Sequence, residues 1–295
     1  MIGSNVGDLR VAILGLGEAG SLLARDLATG GASVRGWDPD LHGDLHAIPL
    51  AASFAAAVRV AALVISVNWA SVARDVACMA APLLAPGAIF ADHNTSAPAL
   101  KAELAAIIEP TGAQFADVAM MAPVPGLGMR VPMFIAGTCA DELAQIYRAF
   151  GTPVEIVGAA PGAAAARKLT RSVFFKGMSA AVCEALEAAR AAGVEDWMRA
   201  DIARTFAAAD AGLLERIVDG TQRHAQRRAH EMREAAALLE GLGVPATISA
   251  ATATSLERLA NSPSAALPSA ALPSAALPSA ALPSAALLEG VSSSR

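Results

Sequence analysis

Cysteine is scarce in this sequence. Cys78, Cys139 and Cys183 lie far apart and form no CxxC pair, which excludes a disulfide framework and offers no zinc-ligand spacing, so no metal site is expected. Each is read as a small core residue in a reducing compartment. Positive charge is also short. The net charge is −5, whereas binding a phosphate backbone needs a concentrated basic face, so no nucleic-acid partner is expected. Long apolar runs are missing too. Hydrophobic residues make up 55% of the chain, but much of that is alanine, and no stretch reaches the roughly 20 strongly apolar residues that cross a bilayer. The first apolar run follows Asp8 and Arg10 and is cut by Gly15 and Gly17, unlike a secretory leader. The expectation is a cytoplasmic, globular protein of 295 residues with room for two domains.

What is present has two textures. Up to about residue 157, short apolar runs alternate with helical stretches, the rhythm of strand-helix-strand units on a parallel sheet. Strands are expected at 10–14, 33–37, 62–67, 88–92, 114–118, 133–136 and 153–157. After Gly162 long helical patterns take over, first at 163–192 with a stop at Gly193, then at about 220–239. The boundary is expected near Pro161 and Gly162, giving domains 1–160 and 161–260. From Pro263 the motif PSAAL repeats five times. A proline every fifth residue removes helix hydrogen bonds at about 3 kcal/mol each, and 261–295 is read as a disordered tail without chemistry of its own.

The sharpest motif is Gly15-Leu16-Gly17-Glu18-Ala19-Gly20, directly after the first strand and opening a helix. Gly15 permits a tight turn, Gly17 lets backbone approach a pyrophosphate, and Gly20 allows close helix packing. The helix N-terminus offers amides and a positive dipole end to phosphates. The second strand ends in Asp38, about 20 residues beyond the turn, where a carboxylate can bind both ribose hydroxyls. Its charge would repel a 2′-phosphate, so NAD is expected over NADP. Asn68, Asn94 and Thr95 follow later strands, where ligands of open α/β sheets lie. Thr95 or Ser96 could equally cap the helix that starts at Pro98. His42 and His46 read as solvated loop residues. The fold class is therefore an α/β Rossmann domain with a doubly wound, mainly parallel sheet, followed by an all-α domain.

On three motifs the chain resembles the β-hydroxyacid dehydrogenases, which include 3-hydroxyisobutyrate and 6-phosphogluconate dehydrogenases. They are the glycine turn, the segment DVAMMAPVPGLG at 117–128, and Gly162-Ala163-Ala164-Ala165-Ala166-Arg167-Lys168. It is most similar to the branch with a helical C-terminal domain of unknown function, over roughly residues 11–259. The resemblance implies hydride transfer between NAD and a small hydroxy acid, with Lys168 as general acid/base on the substrate hydroxyl. A lysine partly desolvated at a cleft can serve that role. Arg171 stands where the family often has asparagine, and Pro125-Gly126-Leu127 replaces the usual serine-glycine-glycine loop. Pro125, Gly126, Arg171 and Ser172 are the implied substrate contacts, with Arg171 able to bind an anionic group bidentately. Met129 and Arg130 are weaker candidates for similar work.

In the C-terminal half, Arg223, His224, Arg227, Arg228 and Glu231 cluster on one helical stretch. They read either as a salt-bridged face or, for His224 and Arg227, as groups reaching an acidic substrate. Two other functions fit the sequence: imine reduction on the same scaffold, whose family members often lack the lysine, and non-catalytic NAD binding or redox sensing. The alanine-rich helices suggest a buried homodimer interface.

Overall fold

The computed structural model describes residues 6–41 and 48–261. His42, His46 and the PSAAL repeats lie outside the described residues. Packing divides the chain into two units, with the division after Arg171.

The first unit is built on seven strands: β1 (Arg10–Leu14), β2 (Ser33–Trp37), β3 (Leu63–Ser66), β4 (Ile89–Asp92), β5 (Gln114–Met120), β6 (Met133–Ala136) and β7 (Val154–Gly158). They form one sheet in the order β2-β1-β3-β4-β5-β6-β7. The pairs β2-β1, β1-β3, β3-β4 and β4-β5 are parallel, β6 is antiparallel to β5, and β7 is parallel to β6. Each expected strand is present, with ends shifted by at most two residues. β3 and β4 are buried along their whole length, because helices cover both faces of a parallel sheet and leave no polar side. β2, at the edge, alternates instead.

Helices α1 (Glu18–Thr29), α2 (Phe54–Val58), α3 (Ala73–Ala80), α4 (Pro98–Ile108) and α5 (Ala140–Ala149) supply the cover. On one face Leu23 and Leu27 of α1 and Leu143 and Tyr147 of α5 pack with Ile13 and Ile65. On the other, Phe54, Ala77 and Leu104 of α2, α3 and α4 pack with Leu14, Val64 and Phe90. Cys139 is buried, but Cys78 and Cys183 are exposed, against the expectation that all three are core. On α3 the inward positions are Ala73, Val76, Ala77 and Ala80, which turns Cys78 outward at helical spacing.

The helix α6 (Ala163–Ala191) contains the division between units. The second unit adds α7 (Glu195–Ala207), α8 (Ala211–Gly241) and α9 (Thr247–Asn261). α6 stops at Gly193, in left-handed conformation at φ +74°, as expected of a C-terminal glycine. α8 begins well before residue 220 and is broken at His224, where φ −121° and ψ 20° are not helical. Within this unit the Glu184 carboxylate accepts the Ile248 and Ser249 amides at 2.6 and 2.8 Å, satisfying donors that every helix start leaves over. Among the described residues no helix is long and apolar enough to cross a membrane.

Candidate functional site

The glycine turn fits a dinucleotide by what its Cα atoms face. A Cβ on Gly15, which has φ +101°, would overlap the Val67 carbonyl oxygen, and one on Gly20 would overlap the Gly15 carbonyl oxygen. These two glycines are demanded by the turn and by the helix packing against it. A Cβ on Gly17 would meet nothing, so the space beside it is open to a ligand. Gly17 is also the N-cap of α1 and brings no side-chain acceptor to the helix start. The amides of Glu18, Ala19 and Gly20 thus begin a helix whose first donors need an outside acceptor.

Asp38 follows β2 and is tied to the turn. Its Oδ2 accepts the Leu16 amide at 2.7 Å and its Oδ1 the Asp40 amide at 3.0 Å. A carboxylate has about four acceptor sites, so both oxygens keep capacity for ribose hydroxyls. Leu16 itself turns its side chain into the core, against Gly36.

Asn68 and Asn94, after β3 and β4, are interlocked. Asn94 Oδ1 accepts the Asn68 amide at 2.6 Å, and Asn94 Nδ2 donates to Asn68 Oδ1, Ser66 Oγ and Asp92 Oδ1 at 3.1, 3.2 and 2.5 Å. Thr95 is exposed beside them. The capping role open to Thr95 or Ser96 does not occur: Ala97 is the N-cap of α4, with Pro98 at its first position, and the buried Ser96 Oγ has no hydrogen-bond partner. Proline there needs no amide acceptor.

Beneath these asparagines lies a charge cluster that sequence reading missed. Strand register pairs Asp92 of β4 with Asp117 of β5, which puts two buried carboxylates side by side. Lys101, fully buried on α4, answers them: its Nζ is 2.6 Å from Asp92 Oδ2 and donates to the Asp92 carbonyl at 2.8 Å. It also lies 3.1 Å from Asp117 Oδ1, without hydrogen-bond geometry to that oxygen. Burial raises the Asp92 carboxyl above its usual range despite the ammonium beside it. Asp117 Oδ2 in turn accepts the amides of Gly162 and Ala165 at 3.1 and 3.0 Å, so the strand caps the start of α6.

Lys168 sits one turn further along α6 and is half-buried. Its charge reaches His93, directly after β4. Burial first, then the charges of Lys101 and Lys168, hold His93 neutral down to about pH 3. His93 Nε2 shares a 2.7 Å hydrogen bond with the Tyr147 hydroxyl, while its Nδ1 is buried without a partner. Arg171 donates one N–H to the Met121 carbonyl at 3.1 Å, which brings the guanidinium to the end of β5.

Pro125 and Gly126 form the corner of an exposed turn. The Leu127 amide donates to the Val124 carbonyl at 3.0 Å and Gly126 has φ +80°, the type II pattern with proline then glycine at its centre. Beyond it the Met129 amide is held by Asp26 of α1 at 2.8 Å, two turns along that helix from the glycine turn. Ser172 opens the second unit and is half-buried. In that unit His224 and Arg227 are both exposed, Arg227 pairs with Glu231, and Arg228 donates to Thr221 at 2.6 Å. The paired reading of this face therefore holds for Arg227.

A mostly parallel sheet carrying an open glycine turn, an aspartate after β2 and polar strand ends defines a dinucleotide-binding, dehydrogenase-like protein. Comparison with known proteins agrees. Residues 10–145 match the NAD binding domain of 6-phosphogluconate dehydrogenase, and residues 189–259 match a domain of unknown function, DUF1932. A conserved hypothetical protein of solved structure from Sinorhizobium meliloti 1021 is 31% identical, covering 87% of this chain and 89% of that one, with TM-score 0.58. The chain belongs to the family that joins these two domains. An uncharacterized 28.5 kDa protein from Methanothermus fervidus is 27% identical over 146 residues, which is 50% of this chain and 56% of that protein, so the match spans about half of this curated relative. The fold is also that of a reductive aminase from Aspergillus terreus solved with NADPH and ethyl levulinate, at TM-score 0.71 and 18% identity over 86% of this chain and 94% of that one. It is an NAD(P)-binding fold related to hydroxyacid dehydrogenases and imine reductases.

Proposed function

We propose that this chain moves a hydride between a nicotinamide dinucleotide, NAD in preference to NADP, and the hydroxyl-bearing carbon of a small hydroxy acid. One observation carries the reading: Asp117, the strand partner of Asp92, accepts the amides of Gly162 and Ala165, and Lys168 follows one helical turn later, which supports an amine beside the strand ends that such folds turn toward the reacting half of the cofactor. The bound nicotinamide supplies the hydride acceptor. The backbone at Gly15, Leu16 and Gly17 and the start of α1 hold the pyrophosphate. Asp38 accepts from the ribose hydroxyls, and its charge, with that of Asp40, disfavours a 2′-phosphate. Asn68, Asn94 and Thr95 orient the ring end. Lys168 takes the hydroxyl proton as the carbon is oxidised, and returns it in the reverse direction. Arg171, which donates to the Met121 carbonyl at the end of β5, binds the substrate carboxylate.

Imine reduction is the second reading. It draws on the fold shared with reductive aminases, and Lys168 weighs against it. The second unit also leaves Val173, Phe174, Trp197, Phe206, Ile217 and Leu238 exposed, more large apolar surface than a helical monomer keeps wet, and this supports a homodimer.

The test is Lys168→Ala assayed against hydroxy-acid and cyclic-imine panels. Hydroxy-acid turnover should fall at least about 100-fold, with NADH affinity within about threefold of the parent. Turnover equal to the parent's removes the mechanism, and activity confined to imines selects the second reading.

A further inference from the structure

We propose that Lys101 is a positioning residue: by joining Asp92 to Asp117 it fixes the start of α6, and with it the Lys168 amine, to the strand ends that carry Asn68 and Asn94. The proposal rests on the reading of Lys168 given above, and it concerns a residue that touches neither substrate nor cofactor.

The argument begins with register. Asp92 and Asp117 are partners on neighbouring parallel strands and both are 0% exposed, so their charges repel with little screening from bulk solvent. Lys101 comes from the helix that leaves β4 and ends among them, 2.6 Å from one carboxylate and 3.1 Å from the other. A cluster of this kind is not a thrifty way to fill a core, since apolar residues of equal volume commonly give equal or greater stability. What apolar residues cannot do is accept hydrogen bonds, and here each carboxylate spends its second oxygen in a different direction. Asp92 Oδ1 accepts from Asn94, which in turn accepts the Asn68 amide. Asp117 Oδ2 accepts the two amides that open α6. Lys168 lies three residues beyond Ala165, one helical turn from the bonded amide. The ammonium thus joins, through side chains, the carboxylate that holds the asparagine pair to the carboxylate that holds the helix carrying the amine. None of these bonds reaches Gly15, Gly17 or Asp38, so, where Asn94 keeps its acceptor, loss of the link should disturb proton transfer far more than dinucleotide affinity.

The double variant Lys101→Met with Asp92→Asn removes one charge of each sign and keeps an acceptor for Asn94. Asp117→Asn, which keeps one oxygen for the α6 amides but removes the charge that faces Lys101, serves in its place if the double variant does not fold. In the full chain, amide hydrogen exchange at Gly162 and Ala165 should quicken at least about tenfold. The kcat should fall at least about 30-fold, as expected for a displaced catalytic group, with the Kd for NADH within about threefold. A merely structural role would lower Tm while the folded variant kept the parent's exchange at these two amides and its kcat, and that result overturns the proposal. If the parent turns over no hydroxy acid, exchange alone decides. Quickened amides then keep Lys101 as the anchor of α6 and remove the Lys168 reading, whereas unchanged amides overturn the anchor itself.

Discussion

The Asp38 carboxylate accepts the Leu16 amide at 2.7 Å, so the end of β2 and the glycine turn are bonded to each other as well as being available to a ligand. Asp38→Ala should therefore do two things together. It should weaken NAD binding by about 10- to 100-fold, the range expected when charge-assisted hydrogen bonds are lost, and it should narrow any preference for NAD over NADP. Titrating both dinucleotides against parent and variant checks this. An unchanged NAD to NADP ratio would show that Asp38 does not set the preference.

Two glycines of the turn, Gly17 and Gly20, should separate in their effects. Gly17→Ala places a methyl in open space, so Tm should hold within about 2 °C, since a surface change of this kind costs about 0.5 kcal/mol or less. Dinucleotide affinity should drop at least about tenfold as the methyl crowds the approach. Gly20→Ala drives a methyl into the Gly15 carbonyl and should lower Tm even without cofactor, as overpacking costs about 1 to 3 kcal/mol. Thermal melts with and without NADH distinguish the two. A Gly17→Ala protein that binds normally would mean that no phosphate sits there.

Stability should depend on pH through His93. Its folded pKa lies at about 3, below the unfolded value of about 6.5, so the unfolded chain takes up a proton that the folded one refuses. The contribution is intact above pH 6.5 and is lost as pH falls toward 3, at up to about 1.4 kcal/mol per unit. Denaturant melts between pH 7 and 4 should show this slope in the parent and a shallower one in His93→Gln, which can still bond Tyr147. Equal slopes would mean that the buried ring is not the group responsible.

If the exposed apolar surface of the second unit is an interface, Phe174→Asp combined with Trp197→Asp should convert a dimer to a monomer in sedimentation analysis, because a buried unpaired carboxylate costs several kcal/mol. A parent that sediments as a monomer at all concentrations removes the dimer.

The sheet was legible because its strands are short, mostly apolar and end at punctuating glycines or polar residues, as Ile89–Asp92 does before His93 and Asn94. The glycine turn was legible for the same local reason. α7 was not foreseen: its Met198, Ile202 and Phe206 are interspersed with Glu195, Asp196, Arg199, Asp201 and Arg204, and none of its residues is buried, so its apolar stripe is weak beside those that mark the core helices. The Lys101 cluster stayed hidden for a different reason. Lys101 resembles an ordinary helix lysine, and only the lateral pairing of Asp92 with Asp117, residues far apart in sequence, makes its position charged on both sides. Lys168 was legible from resemblance rather than from its own surroundings, which say little until the start of α6 is seen bonded to Asp117.

The two amides accepted by Asp117 also bear on how the nucleotide-binding half can be isolated. Cutting at Pro161 and Gly162, where the change of texture invites it, would discard both donors and strand a carboxylate in the interior opposite another. A fragment that runs on through Arg171 keeps those donors and the helix turn that bears Lys168, so the shortest self-sufficient piece of this half should include the first residues of what looks like its neighbour.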